Sequence, residues 1–370
     1  MKKSIIAVLL SSFFFMQLSA FEWGGIEKVG ANISTTDFNS VSPVINSTTY
    51  LWGSAPIADS GFRFVTEGLV KYSGNIGSSS IVNSVIVDLD LLKIVYEGDN
   101  LNCSIGRFFA SDVTACVLNQ NIDGIKVDYS FPYAIVSGYA GYTGLLNELN
   151  VFMLDTTAYV ISPLNEVYSL AYPFVITGAS VLFPVIAGNQ NLSLEALAAI
   201  DIGAEKVNRY YASAKIGGPL GTHCFYDVNE VVGSLNFNNF MHSTKVDFYF
   251  YPTAALAFNV GAEYASKDFV AVTSNPIFGN LAGLEANGNA GAKAGVTYVA
   301  DTFIVTGDVV ALCSMPESGF QFSGFQYDLS VIYNIFYDFQ LSFGTYGFID
   351  SAENGKNNNF GMNLNLSLSF

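Results

Sequence analysis

The last eleven residues of the chain alternate without a break. Phe360, Met362, Leu364, Leu366, Leu368 and Phe370 hold one parity; Gly361, Asn363, Asn365, Ser367 and Ser369 hold the other. Period two is the spacing at which side chains fall on opposite faces of a sheet. The pattern returns upstream. Phe325, Tyr327, Leu329, Val331 and Tyr333 alternate with Gln326, Asp328 and Ser330, and Leu256, Phe258, Val260, Ala262 and Tyr264 with Asn259, Gly261 and Glu263. Val246, Phe248 and Phe250 alternate with Lys245, Asp247 and Tyr249, while Phe62, Phe64, Val70 and Tyr72 oppose Arg63, Glu67 and Lys71. One stretch breaks the rule. The uncharged run from Val167 to Leu194 is long enough for an apolar helix, yet Pro173, Gly178, Pro184 and Gly188 interrupt it.

Alternation alone also suits a soluble sandwich with one wet face. Length separates the two. Ten residue steps from Phe360 to Phe370 extend ~33 Å along a strand. Tilted by ~40°, they project to ~25 Å, the height of the apolar band on a transmembrane barrel. A sheet in lipid must close, because open edges leave backbone groups unpaired. The fold expected is all-β: a transmembrane antiparallel β-barrel of about 16–18 strands.

Turn residues divide the alternating segments. Short turns are expected at Ser54–Ser60, Gly98–Asn100, Phe131-Pro132, Gly188–Asn191, Gly217–Pro219, Tyr251–Thr253, Ala300-Asp301 and Asn334–Asp338. Between them fall longer loops at Ser73–Asn83, Phe109–Asn121, Tyr142–Glu166, Gly203–Asn208, Asn236–Asn239, Ser266–Asn289, Ser314–Gly319 and Asp350–Asn358. Short connections at one end and long ones at the other are the usual asymmetry of such barrels. This division yields seventeen strands from Thr48 onward. Bacterial single-chain barrels have even numbers, so either a first strand near Trp23 to Ser34 closes the ring or one division is wrong. No repeat or linker is evident, and a barrel this wide leaves room for an aqueous channel.

Composition agrees. Of 370 residues, 51% are hydrophobic and only 12% charged, about half the charged share of a soluble domain. With 15 basic against 31 acidic residues and a net charge of −16, no basic surface for nucleic acid is expected. Lys2 and Lys3, the apolar stretch Ile5 to Met16 and Leu18-Ser19-Ala20 read as a secretory signal peptide over 1–20, leaving a single barrel domain over 21–370. Export places Cys103, Cys116, Cys224 and Cys313 where disulfides persist. Cys103 and Cys116 are close enough in sequence to bridge one loop, and four free thiols are the alternative. With no CxxC spacing and only His223 and His242, neither a metal site nor a cofactor is expected.

The leader, the lack of a clear hydrophobic helix and a final alternating strand ending in Phe370 together resemble the Gram-negative outer-membrane barrel class. The resemblance implies an outer-membrane location, a periplasmic C-terminus, Phe370 as the signal read by the barrel-assembly machinery, and a possible homotrimer. A shorter stretch, Ile105-Gly106-Arg107-Phe108, then Asp112, then Asp123-Gly124-Ile125-Lys126-Val127-Asp128-Tyr129, is similar to a strand–loop–strand of large porins and substrate-specific channels. There Gly-Arg ends one strand and Asp-Gly opens the next. No pore residue of those families is carried over.

Residues out of phase with the lipid face are expected to line the bore: Arg63, Glu67, Lys71, Asp88, Asp90, Lys93, Lys126, Asp128, Lys215, Lys245, Asp247, Glu263 and Asp328. Lys93, together with Glu97, joins only if the phase slips at Leu91-Leu92, as a bulge allows. Arg107 shares parity with Ile105, which aims it at lipid unless it sits at headgroup level or a second bulge intervenes. Either Tyr142–Glu166 or Ser266–Asn289 is long enough to fold inward and narrow the bore. The mixed lining, slightly acidic and without a ladder of arginines, points to a porin-like channel for passive diffusion of small hydrophilic solutes, weakly cation-preferring or unselective. The alternative is a structural or adhesive barrel whose extracellular loops bind host or matrix molecules. Enzymatic chemistry is not expected: His223 stands beside Cys224 and His242 beside Ser243, but strand neighbours point to opposite faces.

Overall fold

The computed structural model describes residues 21–36, 40–75, 83–147, 170–203, 206–273, 288–315, 319–351 and 358–370. The expected leader, 1–20, lies outside them, as does most of the Tyr142–Glu166 loop. One antiparallel sheet of eighteen strands closes on itself. In chain order they are β1 (Glu22–Thr36), β2 (Ser40–Ile57), β3 (Phe62–Asn75), β4 (Asn83–Glu97), β5 (Leu101–Ser111), β6 (Asn119–Ser130), β7 (Ile135–Tyr142), β8 (Phe174–Phe183) and β9 (Asn191–Asp201). Then follow β10 (Arg209–Pro219), β11 (Cys224–Leu235), β12 (Asn239–Thr253), β13 (Leu256–Ala265), β14 (Asn289–Val299), β15 (Phe303–Ser314), β16 (Gln321–Phe336), β17 (Phe339–Asp350) and β18 (Asn359–Ser369). Each strand pairs with its neighbours in sequence, and β1 pairs with both β2 and β18, so the first-strand solution to the odd count is the correct one.

Closure runs through the chain end. β1 and β18 pair from Ile26↔Ser369 to Thr36↔Asn359, and beyond them Gly25 and Phe370 exchange N–H···O bonds of 2.9 and 3.0 Å. Alternation then assigns faces. On β18 the apolar parity points away from the barrel axis, with Met362 55% and Leu364 47% exposed. No helix among the described residues is long and apolar enough to cross a membrane; the strands carry the apolar surface.

Among the described residues the expected connections fall between these strands with small shifts, while parts of Ser73–Asn83, Gly203–Asn208, Ser266–Asn289, Ser314–Gly319 and Asp350–Asn358 lie outside those residues. Gly217–Pro219 and Tyr251–Thr253 lie within β10 and β12, and the turns follow at 220–223 and 254–255. The expected phase slip on β4 is real but sits one step earlier. Glu67 pairs with Leu91 and Gly68 with Leu89, leaving Asp90 as the extra residue. Beyond this bulge Lys93 and Glu97 change face.

The uncharged run has a tertiary cause. Phe174 and Ile176 of β8 point inward and are fully buried, as are Leu197 and Ala199 of β9 almost completely. They join one apolar cluster with Phe108, Val117 and Leu118 from the β5–β6 hairpin and Phe269 and Val272 from the β13–β14 loop. In this sector both faces of the wall are apolar, so alternation disappears there as it does in any sheet covered on both sides.

Candidate functional site

The interior is organised by a hairpin that leaves the wall. β4 and β5 pair only from Leu92↔Arg107 to Glu97↔Asn102, and β6 and β7 only from Asp123↔Tyr142 to Ser130↔Ile135. Beyond those rungs β5 and β6 still pair with each other, out to Ser111↔Asn119, but with neither neighbour. The hairpin Phe108–Ile122 therefore turns into the barrel. Gly106 and Gly124, direct partners across the two strands, make the bend possible. Gly106 has φ +122, and a Cβ on it would lie 2.1 Å from Leu92 O; one on Gly124 would lie 2.0 Å from Ala140 O.

Arg107 and Asp123 occupy the gap so formed. Nε and Nη2 of Arg107 donate to the two carboxylate oxygens of Asp123, both at 2.9 Å. Nη1 donates to Leu89 O of β4 at 2.8 Å, and Nη2 also reaches Leu145 O beyond β7 at 3.1 Å. Asn121 Nδ2 adds bonds of 2.9 Å to Asp90 O and Oδ1. One guanidinium thus ties β4, β6 and the β7–β8 connection together where backbone pairing stops. Arg107, whose parity aims it at lipid, instead fills this gap, and Asp88 (3.9 Å from Arg107) and Asp90 border the same seam.

Inside, the hairpin tip folds around Asp112, whose Oδ1 accepts from Val117 N (2.8 Å) and Leu118 N (2.9 Å) and whose Oδ2 accepts from the Thr114 amide and hydroxyl. Glu195 holds the tip to the wall. Its carboxylate accepts from Val113 N at 2.6 Å and from Tyr139 OH at 2.7 Å. The β13–β14 loop meets the tip from the other side: Val272 N and Thr273 N donate to Val117 O at 2.8 and 3.0 Å. That loop is itself anchored, since Arg209 Nη1 donates to Ala271 O (2.7 Å) and Tyr211 OH to Val270 O (2.6 Å). Arg209 is wholly buried, its guanidinium carbon 5.0 Å from the centre of the Phe174 ring.

Of the two alternative loops weighed for narrowing the bore, the described part of Ser266–Asn289 enters it and most of Tyr142–Glu166 lies outside the described residues, but the main intruder is Phe109–Asn121, read from sequence as an ordinary outer loop. Cys116 is buried in its tip. Burial, aided by the neighbouring Asp112 carboxylate, pushes its thiol up to about 11. All four cysteines are free, so the Cys103–Cys116 bridge does not form.

Most other expected bore residues share the inner face. Arg63, Glu67 and Lys71 alternate with the exposed Phe62 and Val70, and Lys126 and Asp128 (Nζ–Oδ2 3.6 Å) alternate with Ile125, Val127 and Tyr129. Arg63 extends to Glu22, 3.6 Å away. Lys215 shares parity with the buried Arg209, Tyr211 and Ser213. Lys245, Asp247 and Glu263 are brought together with a residue that sequence reasoning missed, Lys293 of β14. Lys245 Nζ lies 2.9 Å from Glu263 and Lys293 Nζ 2.8 Å from Asp247, with cross-contacts of 3.9 and 3.8 Å. The signal for Lys293 was its phase against Ala292, Ala294, Val296 and Tyr298.

A different wall remains open. A cavity of roughly 370 Å³ lies against β15–β18 and β1, bordered by Asn32, Asp308, Asp328, Ser330, Tyr346 and Asn363. Tyr346 OH donates to Asn32 Oδ1 at 3.1 Å. Asp308, also missed, is the direct cross-strand partner of Asp328. β15 to β18 contain no Lys, Arg or His.

Comparison with solved structures sets this architecture beside known barrels. OccK9 (OpdG) of Pseudomonas aeruginosa superposes with a TM-score of 0.70 at 10% identity, covering 95% of this chain and 99% of its own. OccAB4 of Acinetobacter baumannii gives 0.69 at 10% identity, over 96% and 99% of the two chains. The outer membrane protein OpdK of P. aeruginosa gives 0.65 at 12%, over 94% and 99%. The chain has a porin-like barrel fold. No family model matches it, and no curated protein matches it in sequence.

His223 adjoins Cys224 and His242 adjoins Ser243 in the chain. His242 instead meets Glu230 and Thr244 on the outer face, and both contact the same ring nitrogen, Nε2. A nucleophile relay needs the acid on the other nitrogen, so this cluster is not one.

Proposed function

We propose that the chain is an outer-membrane channel for passive diffusion of small hydrophilic solutes with a weak preference for cations. The observation that carries the reading is the division of the inner wall. On β12–β14 the lysines are neutralised, Lys245 and Lys293 by Glu263 and Asp247, while the adjoining strands β15–β18 carry no base and present Asp308 and Asp328 to a cavity among amides and hydroxyls. Field lines in such a lining favour positive solutes. The outer-membrane location draws support from the fold shared with OpdK, an outer membrane protein. Delivery by a signal peptide, recognition of Phe370 by the assembly machinery and assembly as a homotrimer belong to the same reading.

Purified barrel in a planar bilayer under a salt gradient tests it. The expected result is a conductance whose reversal potential indicates modest cation selectivity. An anion-selective current would overturn the preference. The adhesive alternative is favoured by one feature, the amount of interior filled by the two inward loops, and a protein that inserts but carries no current would select it.

A further inference from the structure

We propose that the outer face of β10–β14, centred on Glu230, His242 and Thr244, is where copies of this chain meet in the membrane. The inference deepens the homotrimer part of the proposed reading and rests on it. On β12 the outward residues run Phe240, His242, Thr244, Val246, Phe248 and Phe250. Aromatic residues at both ends mark the two membrane interfaces. Thr244 lies four steps from Phe240, ~10 Å along the barrel axis for a strand tilted by ~40°. Glu230 is its direct partner on β11. An acid and an imidazole therefore stand at the depth of the acyl chains, on an unbroken part of the wall. Their side chains are 42% and 40% exposed, so the barrel itself does not cover them.

Internal bonds leave the cluster incomplete. Thr244 Oγ1 donates to Glu230 Oε2 at 2.7 Å, and His242 Nε2 meets Glu230 Oε1 and Thr244 Oγ1. His242 Nδ1 has no partner among the described residues. Glu27, the other outward carboxylate on fully paired wall, is the contrast. Both its oxygens accept hydroxyl bonds, from Ser47 and Thr49, and it stands two residues from Gly25, which pairs with Phe370 at the rim. Acyl chains supply neither donor nor acceptor, and polar groups unpaired in hydrocarbon are costly. A second copy supplies both. An oligomer axis parallel to the barrel axis preserves depth, so with this face turned to it His242 of one copy meets Glu230 of the next. The surrounding outward side chains are small. Ala214 is the direct partner of Glu230, and Ala212, Ala262, Ala292 and Ala294 lie on the flanking strands. Small residues let backbones approach closely enough for such bonds. The wall at β16–β18 instead turns Phe325, Leu329, Phe343 and Leu364 outward, as a lipid-facing surface does.

Cross-linking of the folded protein in phosphatidylethanolamine vesicles is the test, with Cys103, Cys224 and Cys313 replaced by serine and Cys116 left buried in the bore. A bis-maleimide should link copies carrying Val232→Cys, at the centre of the face. It should not link copies carrying Val70→Cys on β3, half-way round the barrel from β12. Light scattering in detergent should give a trimer for the wild type. The Glu230→Leu/His242→Leu double variant should dissociate at about tenfold higher concentration, and Glu27→Leu should leave the oligomer unchanged. A monomeric wild type, links at Val70→Cys rather than Val232→Cys, or an unchanged oligomer in the double variant would overturn the inference. In whole outer membranes, links from Val232→Cys to a different protein alone would also overturn it. The linking arm decides the matter even if the double variant fails to fold. A single-channel current from a monomeric sample would show that the channel reading stands without this interface.

Discussion

Arg107 and Asp123 face each other on β5 and β6 in a two-point bond, both contacts 2.9 Å, at the last rung where these strands still belong to the wall. One step further the hairpin is inside the barrel. The pair replaces backbone bonding that the departing strands can no longer supply, and its remaining donors cover carbonyls on both sides of the gap.

Removing Arg107 leaves Asp123, Leu89 O and Leu145 O without their donor. Arg107→Ala should destabilise the folded barrel by about 3 kcal/mol, as expected when one member of a largely buried pair is deleted. Arg107→Lys should recover less than half, because an ammonium cannot make the planar two-point bond. Urea unfolding of barrels reconstituted in lipid, followed by the gel-mobility shift between folded and unfolded forms, measures both.

The bend depends on two opposed glycines. Gly124→Ala puts a methyl 2.0 Å from Ala140 O, and Gly106→Ala adds a disallowed φ to a 2.1 Å approach to Leu92 O. Each should cost about 3 kcal/mol or prevent assembly. Gly68→Ala, whose methyl would meet nothing closer than Asp88 O at 3.8 Å, should assemble normally. Equal assembly yields for all three would show that the hairpin does not bend at Gly106 and Gly124.

Cys116 reports the packing of the hairpin tip. With the other three cysteines replaced by serine, iodoacetamide should react slowly at pH 8, because the thiol is buried and ionises only near about 11. The rate should rise with pH toward that value, since the thiolate is the reacting form. Glu195→Gln weakens the clasp on Val113 N and should speed the reaction roughly tenfold at pH 8. Mass spectrometry of timed samples reads the rate, and a wild-type rate equal to that of unfolded protein would contradict the packed tip.

The Lys245–Glu263 and Lys293–Asp247 pairs set a charge balance on the inner wall. Lys293→Met leaves the buried Asp247 carboxylate with only Lys245, 3.9 Å away. A loss of about 3 kcal/mol is expected, with partial recovery in the K293M/D247N double variant. Full additivity of the two single changes in urea unfolding would show that the pair does not act as a unit.

Strand order, faces and most connections were legible in the chain because period two needs no tertiary information. It correctly separated Lys126 and Asp128 from Ile125 and Val127, and it signalled both the β4 slip and the need for a first strand. It failed where its premise fails. Phe174, Ile176, Leu197 and Ala199 face inward yet are apolar, since their inner neighbours are a hairpin and a loop rather than water. Arg107 and Asp123 have outward parity yet avoid lipid, since they fill a break in the wall. Lys293 and Asp308 lay in phase but in Ala-, Gly- and Val-rich strands where one charge makes a faint pattern.

By itself the sequence determined a closed antiparallel sheet with a greasy outside, because alternating side chains and unpaired edges constrain any strand placed in lipid. Only the tertiary structure decided which loop enters the interior, which charges neutralise each other and which carboxylates stay open. Those outcomes depend on contacts between strands far apart in the chain, such as Glu195 with Val113 and Val117 with Val272. No local spacing encodes them.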